Sequence, residues 1–117
     1  IALSGGQKAR VALARALYAQ KDLVIMDDVL SAVDNHTGTK IFNDCMLNFL
    51  DGKTRILVTH AAQFLPYVDR VIVLQGGVVV QDGTVDELAR EEGYVQDLMA
   101  LHGCLSYEGE VIKGDLD

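Results

Sequence analysis

A chain of 117 residues, half of them hydrophobic, with one Pro and no Trp, suits one globular unit or part of a larger one. Ten basic residues against 17 acidic leave a net charge of −7, which argues against a nucleic-acid-binding surface. No apolar stretch approaches the roughly 20 residues that span a bilayer, and Cys45 and Cys104, two cysteines without CxxC spacing, point to a reduced setting over a disulfide framework.

The chain opens at Ile1, at the threshold of a motif and without an initiator Met, and is expected to be a piece of a longer polypeptide. Leu3-Ser4-Gly5-Gly6-Gln7 precedes a helical segment from Lys8 to about Gln20, rich in Ala, Leu and Arg. Ser4 and Gln7 have the spacing of a capping box, in which each side chain satisfies a backbone N–H of the first turn. Gly5 and Gly6 add two amides with no side chain over them, so the tip admits two readings: a plain cap, or a seat for an anion at the positive end of a helix. Lys8, Arg10 and Arg15 read as solvated or ion-paired charges.

Leu23-Val24-Ile25-Met26-Asp27-Asp28 is the run around which the rest is organised. Four apolar residues followed by two acids predict a strand buried on both faces, as in a parallel sheet covered by helices. Ligands of such sheets sit beyond the carboxyl ends of the strands, so the acids mark either a site or a solvated turn. Val29 to Asp34 is a loop, and a helix follows from about Asn35 to Leu50, with Ile41, Phe42, Cys45, Met46 and Phe49 as its core stripe. Cys45 and Met46 are packing residues in this reading. Asp51-Gly52 breaks the helix, and Arg55 to Thr59 is a second buried strand. Strand, helix, strand in this order is a βαβ unit. His60 then falls at the same carboxyl edge as Asp27 and Asp28.

Ala61 to Asp69 is a short helical turn broken by Pro66. Arg70 to Leu74 is a third strand, Gly76-Gly77 a two-residue hairpin turn, and Val78 to Gln81 the antiparallel return. Thr84 and Glu87 form another capping box, opening a helix over Val85 to Arg90. A last helix spans Tyr94 to His102, with Val95, Leu98 and Met99 inward and Gly103 as its stop. Residues 104–117 carry four acids and two glycines with little periodicity, which predicts a mobile acidic linker.

Together these pieces resemble the C-terminal half of an ATP-binding-cassette nucleotide-binding domain, over about Leu3 to Gly103. Leu3-Ser4-Gly5-Gly6-Gln7 matches the family signature letter for letter; Leu23 to Asp27 looks like its Walker B strand, Ser31-Ala32-Val33-Asp34 its D-loop, and His60 its switch histidine. Gln7-Lys8, Asp27-Asp28 and the Leu30 to Asp34 run with His36 are most similar to the first such domain of a full-length C-subfamily transporter, the multidrug-resistance-associated group. The tail is similar to the connector into a second membrane domain. Ala9 stands where many members carry Gln, and Val29 where a Pro is common. No G-x-x-x-x-G-K-[ST] phosphate loop occurs, nor the stacking aromatic or Q-loop.

The resemblance implies an α/β fold of the P-loop NTPase (RecA-like) type, a parallel sheet flanked by helices with a C-terminal β-hairpin, incomplete without its N-terminal half. It implies residues 1–103 as one part-domain and 104–117 as an acidic, disordered linker. It implies ATP and Mg²⁺, a second nucleotide-binding domain and transmembrane domains as partners, no nucleic acid, and a place on the cytoplasmic face of a membrane. Ser4, Gly5, Gly6 and Gln7 would grip the γ-phosphate of ATP held by the partner domain. Asp27 would hold Mg²⁺, Asp28 would be the general base, His60 would sense the γ-phosphate, and Asp34 would couple the two sites. Most members have Glu at the position of Asp28, so slow hydrolysis at this site is expected, with export of a solute driven by the pair of sites. The alternative is a regulatory nucleotide-binding module without significant hydrolysis. A soluble cassette ATPase of DNA repair or translation ranks last, for want of a basic surface. The fragment alone is expected to be inactive and marginally stable, because its strands lack partners.

Overall fold

The computed structural model describes residues 2–101; the expected helix stop at Gly103, Cys104 and the acidic segment lie outside them. The described residues form a small mixed α/β structure in two compact units, one ending at His60 and the other starting at Ala61.

In the first unit, α1 (Gly5–Tyr18) starts at Gly5 and not at Lys8. The reciprocal cap between Ser4 and Gln7 sets the first turn around both glycines, outweighing their poor helix propensity. Past its end Gln20 takes a left-handed φ of 52°, the usual conformation of the residue that terminates a helix. Only Leu13 of α1 is buried, so the Ala- and Leu-rich surface of the helix is mostly open.

β1 (Leu23–Asp27) pairs in parallel with β2 (Thr54–Val58), Leu23 opposite Thr54 and Asp27 opposite Val58. The βαβ unit is therefore as expected, but the strands are not buried on both faces. Val24 and Met26 are buried while Ile25 is 63% exposed, and Leu23, Ile56 and Val58 are exposed too. A strand is buried throughout only where layers cover both sides of its sheet; with one side covered, burial alternates with the two-residue period of the pleat.

The crossover is α2 (Asn35–Ile41), which runs directly into a π-helical stretch, Phe42–Phe49. Its wider turn is seen in the bond from Leu50 N–H to Cys45 O, 2.9 Å. The π winding rotates the chain through fewer degrees per residue than an α-helix. By the eighth position Phe49 has therefore drifted off the face that an α-helical count assigns it. Phe42, Met46 and Leu50 are buried, and Phe49 is 59% exposed. Arg55 Nη1–H donates to Met46 O at 2.7 Å, tying β2 to this stretch. Gly52, at φ 82°, makes the break foreseen there.

The second unit opens with a 3₁₀ helix, Ala62–Tyr67, that contains Pro66. β3 (Val71–Gln75) and β4 (Val78–Gly83) form an antiparallel hairpin. Gly76 and Gly77, at φ 59° and 78°, supply the turn with two positive φ values that suits strand twist. β4 runs past Gln81 to Gly83, because Ile72–Asp82 and Val71–Gly83 continue the pairing. Arg70 also grips Asp82 with both arms of its guanidinium, Nε to Oδ1 at 2.7 Å and Nη2 to Oδ2 at 2.6 Å. Gln81 stands opposite Val73 and Val79 opposite Leu74, which leaves Val80 as a bulge. Thr84 caps α3 (Val85–Ala89), its hydroxyl accepting Glu87 N–H. α4 (Tyr94–Leu101) follows. Val85, Leu88 and Ala89 bury against Val95 and Met99, with Leu65, Val68, Val71 and Val73 packed around them; Leu98 is half-buried.

Candidate functional site

The tip of α1 shows what the capping box achieves. Four backbone N–H groups at a helix start have no intrahelical partner. Ser4 N–H donates to Gln7 Oε1 at 2.9 Å, and Gln7 N–H donates to Ser4 Oγ at 3.1 Å. The amides of Gly5 and Gly6 are left over, at the positive end of the helix dipole. Gln7 thus shapes the tip through its bond to Ser4. Both glycines lie against the loop 29–34. A Cβ on Gly5 would meet Ala32 Cβ at 3.5 Å, and one on Gly6 would meet Ala32 O at 3.2 Å and Val33 Cγ1 at 3.4 Å. The second glycine is therefore a requirement of close approach, which adds to the reading of an open anion seat.

The parallel register brings Asp27, Asp28 and His60 to one edge of the sheet. Asp27 closes β1 opposite Val58, and His60 follows two residues beyond that partner. All three are exposed. Asp28 leaves the strand with φ +54°, a conformation that non-glycine residues seldom adopt. Its N–H donates to Val58 O at 2.9 Å, and its carbonyl accepts from Ser31 Oγ at 3.2 Å. Asp34 caps α2, its Oδ2 accepting Thr37 N–H at 3.0 Å. The hydrogen bonds from Thr37 hold the Asp34 carboxyl below the usual carboxylate range.

Cys45 is a free, half-buried thiol whose pKa burial pushes up, as fits a packing residue. Among the described residues no three His, Cys, Asp or Glu side chains gather into a metal cage. The acids at the strand end suit a different donor set: Mg²⁺ takes one or two carboxylates and completes its shell with water and phosphate oxygens.

The sequence places Ser31, Ala32 and Val33 in the run that looks like a D-loop, but their contacts with Asp28, Gly5 and Gly6 were not foreseen. A hydroxyl three residues after an acid, followed by small residues, is the signal that was there. The loop 29–34 thus touches both groups of candidate residues: Ser31 at Asp28, Ala32 and Val33 at Gly5 and Gly6.

No family model matches the chain. Relatives do. It is 48% identical over 103 residues, 86% of its length, to ABC transporter C family member 8 of Dictyostelium discoideum. It is 52% identical over 80% of its length to ATP-binding cassette sub-family C member 2 of Mus musculus. It is 43% identical over 87% of its length to ABC transporter C family member 9 of Arabidopsis thaliana. The chain spans 6–7% of the length of these relatives. Identity at this level across nearly the whole segment means that the chain belongs to the C subfamily of ATP-binding-cassette transporters, as a piece of its ATP-binding-cassette domain.

Proposed function

We propose that the chain is the C-terminal part of an ATP-binding and hydrolysing domain of P-loop NTPase type, the first of two in a full-length C-subfamily transporter. The domain faces the cytoplasm and couples ATP binding and hydrolysis to export of a solute across a membrane. What supports this reading is the parallel register of β1 and β2, which puts two carboxylates and an imidazole at one sheet edge.

In this reading two domains close head to tail around two ATP molecules. Ser4 and the amides of Gly5 and Gly6 receive the γ-phosphate of ATP held by the partner domain, where exposed N–H groups and the helix dipole favour an anion. Gln7 keeps that tip in shape. Asp27 is the residue that would hold Mg²⁺, which supplies positive charge beside the phosphates. Asp28 accepts a proton from the attacking water. The water oxygen bonds to the γ-phosphorus as the bond from that phosphorus to the oxygen bridging it to the β-phosphate breaks, and ADP and inorganic phosphate leave. His60 contacts the γ-phosphate, and Asp34 helps couple the two sites.

Asp is shorter than Glu by one C–C bond, about 1.5 Å, and a general base contributes about 10²–10⁴-fold when well placed. Slow turnover at this site follows. The same residue favours a second reading, a regulatory module that closes around ATP without hydrolysing it.

Vanadate trapping on the full-length protein separates the two. ADP trapped at the site that uses Asp28 supports hydrolysis there; ATP retained without trapping supports the module. Asp28→Glu should raise turnover at that site, and an unchanged single-site rate would reject the short-base argument.

A further inference from the structure

We propose that Ser31 is a positioning residue that holds Asp28 where it can act on the attacking water, an inference that rests on the ATPase reading above. In an extended strand, consecutive side chains point to opposite faces of the sheet. Asp27 and Asp28 could not then serve one ligand. The left-handed backbone at Asp28, φ +54°, breaks that alternation directly after Asp27. Few L residues adopt such a conformation, Asp being one that tolerates it, and away from a helix end its surroundings help to hold it.

Two hydrogen bonds do so here, one on each side of the residue. Asp28 N–H donates to Val58 O at 2.9 Å, which anchors the entry to the neighbouring strand. Ser31 Oγ–H donates to Asp28 O at 3.2 Å, which fixes the exit. The first is a backbone bond that any residue supplies. The second needs a hydroxyl. Ser31 is exposed, so it contributes little packing. Its own place is set by the next two residues, since Ala32 and Val33 lie against Gly5 and Gly6. The side chain of Ser31 thus has one evident task, and that task is the geometry of Asp28.

The test uses the full-length protein with Ser31→Ala, Ser31→Thr, Asp28→Asn and the Ser31→Ala/Asp28→Asn double variant. The readouts are single-turnover cleavage of ATP at the site that uses Asp28 and KM for ATP. Ser31→Ala should slow cleavage about tenfold with KM within about twofold, since a misplaced base loses rate and not binding. Ser31→Thr keeps the hydroxyl and should restore the rate. In the Asp28→Asn background, Ser31→Ala should cause no further loss. A wild-type rate in Ser31→Ala, alongside a slowed Asp28→Asn, overturns the role of Ser31 and leaves the ATPase reading standing. An equal loss from Ser31→Ala with and without the Asp28 carboxylate also overturns it, because the effect would then bypass Asp28. An unchanged rate in Asp28→Asn overturns both.

Discussion

Replacing Asp28 by Ala and by Gly tests the left-handed backbone at the end of β1. An L side chain in this conformation costs about 1–2 kcal/mol, which Asp lessens by bonding locally and Ala does not. Gly has no Cβ and escapes that cost, but it loses about 0.5–1 kcal/mol more freedom than Ala on folding. The difference should leave Asp28→Gly more stable than Asp28→Ala by roughly 0.5–1 kcal/mol. In an ordinary strand or helix the order is the reverse. The two hydrogen bonds that hold Asp28 go to its backbone, so neither replacement removes them and the comparison isolates conformation. Urea unfolding of the complete nucleotide-binding domain reads the effect, with equal slopes confirming that the unfolded states match. An Ala variant as stable as the Gly variant would refute the strain. Both variants lose hydrolysis at this site in the proposed mechanism, so stability and activity should move independently.

Three further outcomes are expected. Gly5→Ala meets only an ordinary contact at 3.5 Å and should stabilise by up to about 1 kcal/mol, whereas Gly6→Ala must displace the Ala32 carbonyl at 3.2 Å and should fall measurably below it; equal thermal shifts would deny the packing of the tip on loop 29–34. Met99 is fully buried in the core of the second unit, so Met99→Ala should cost about 2–5 kcal/mol in unfolding, and a loss under about 1 kcal/mol would mean that this core is loosely packed. The Asp34 carboxyl lies below its unfolded value because Thr37 bonds it. Its contribution is present above the unfolded pKa, about 3.9, and is lost as pH falls through the folded one. Protection of the Thr37 amide, taken relative to its intrinsic exchange rate at each pH, should therefore fall only as pH drops below that unfolded value. Asp34→Asn, which keeps a capping oxygen, should abolish that dependence; flat protection in the parent through this range would count against the cap.

Features that depend on neighbours a few residues away were legible in the chain. The Ser4–Gln7 cap, the Gly76-Gly77 turn and the Thr84 cap all stand where expected, whereas the 3₁₀ helix runs through Pro66 to Tyr67 instead of breaking at it. The order of strand, helix and strand that carries Asp27, Asp28 and His60 to one edge also stands as expected. Burial was less legible. Leu23, Ile25, Ile56 and Val58 are apolar yet exposed, because the covering of a sheet face depends on other layers and not on the strand's own letters. Phe49 left its stripe because α and π winding share one apolar pattern over a single turn and diverge only further along.

The amino-acid sequence by itself determined the kind of chemistry available: a serine and two glycines at a helix start, two acids closing an apolar run, and an imidazole closing another. Their types and spacing are local properties, and each would be the same in any fold that formed these elements. Only the tertiary structure decided that Asp28 turns left-handed between Val58 and Ser31, and that Ala32 and Val33 form the floor of the glycine tip. The bond from Asp28 to Val58 and the contact of the glycines with Ala32 and Val33 join segments distant along the chain, and a hydrogen bond or a steric limit between such segments exists only once the chain has folded.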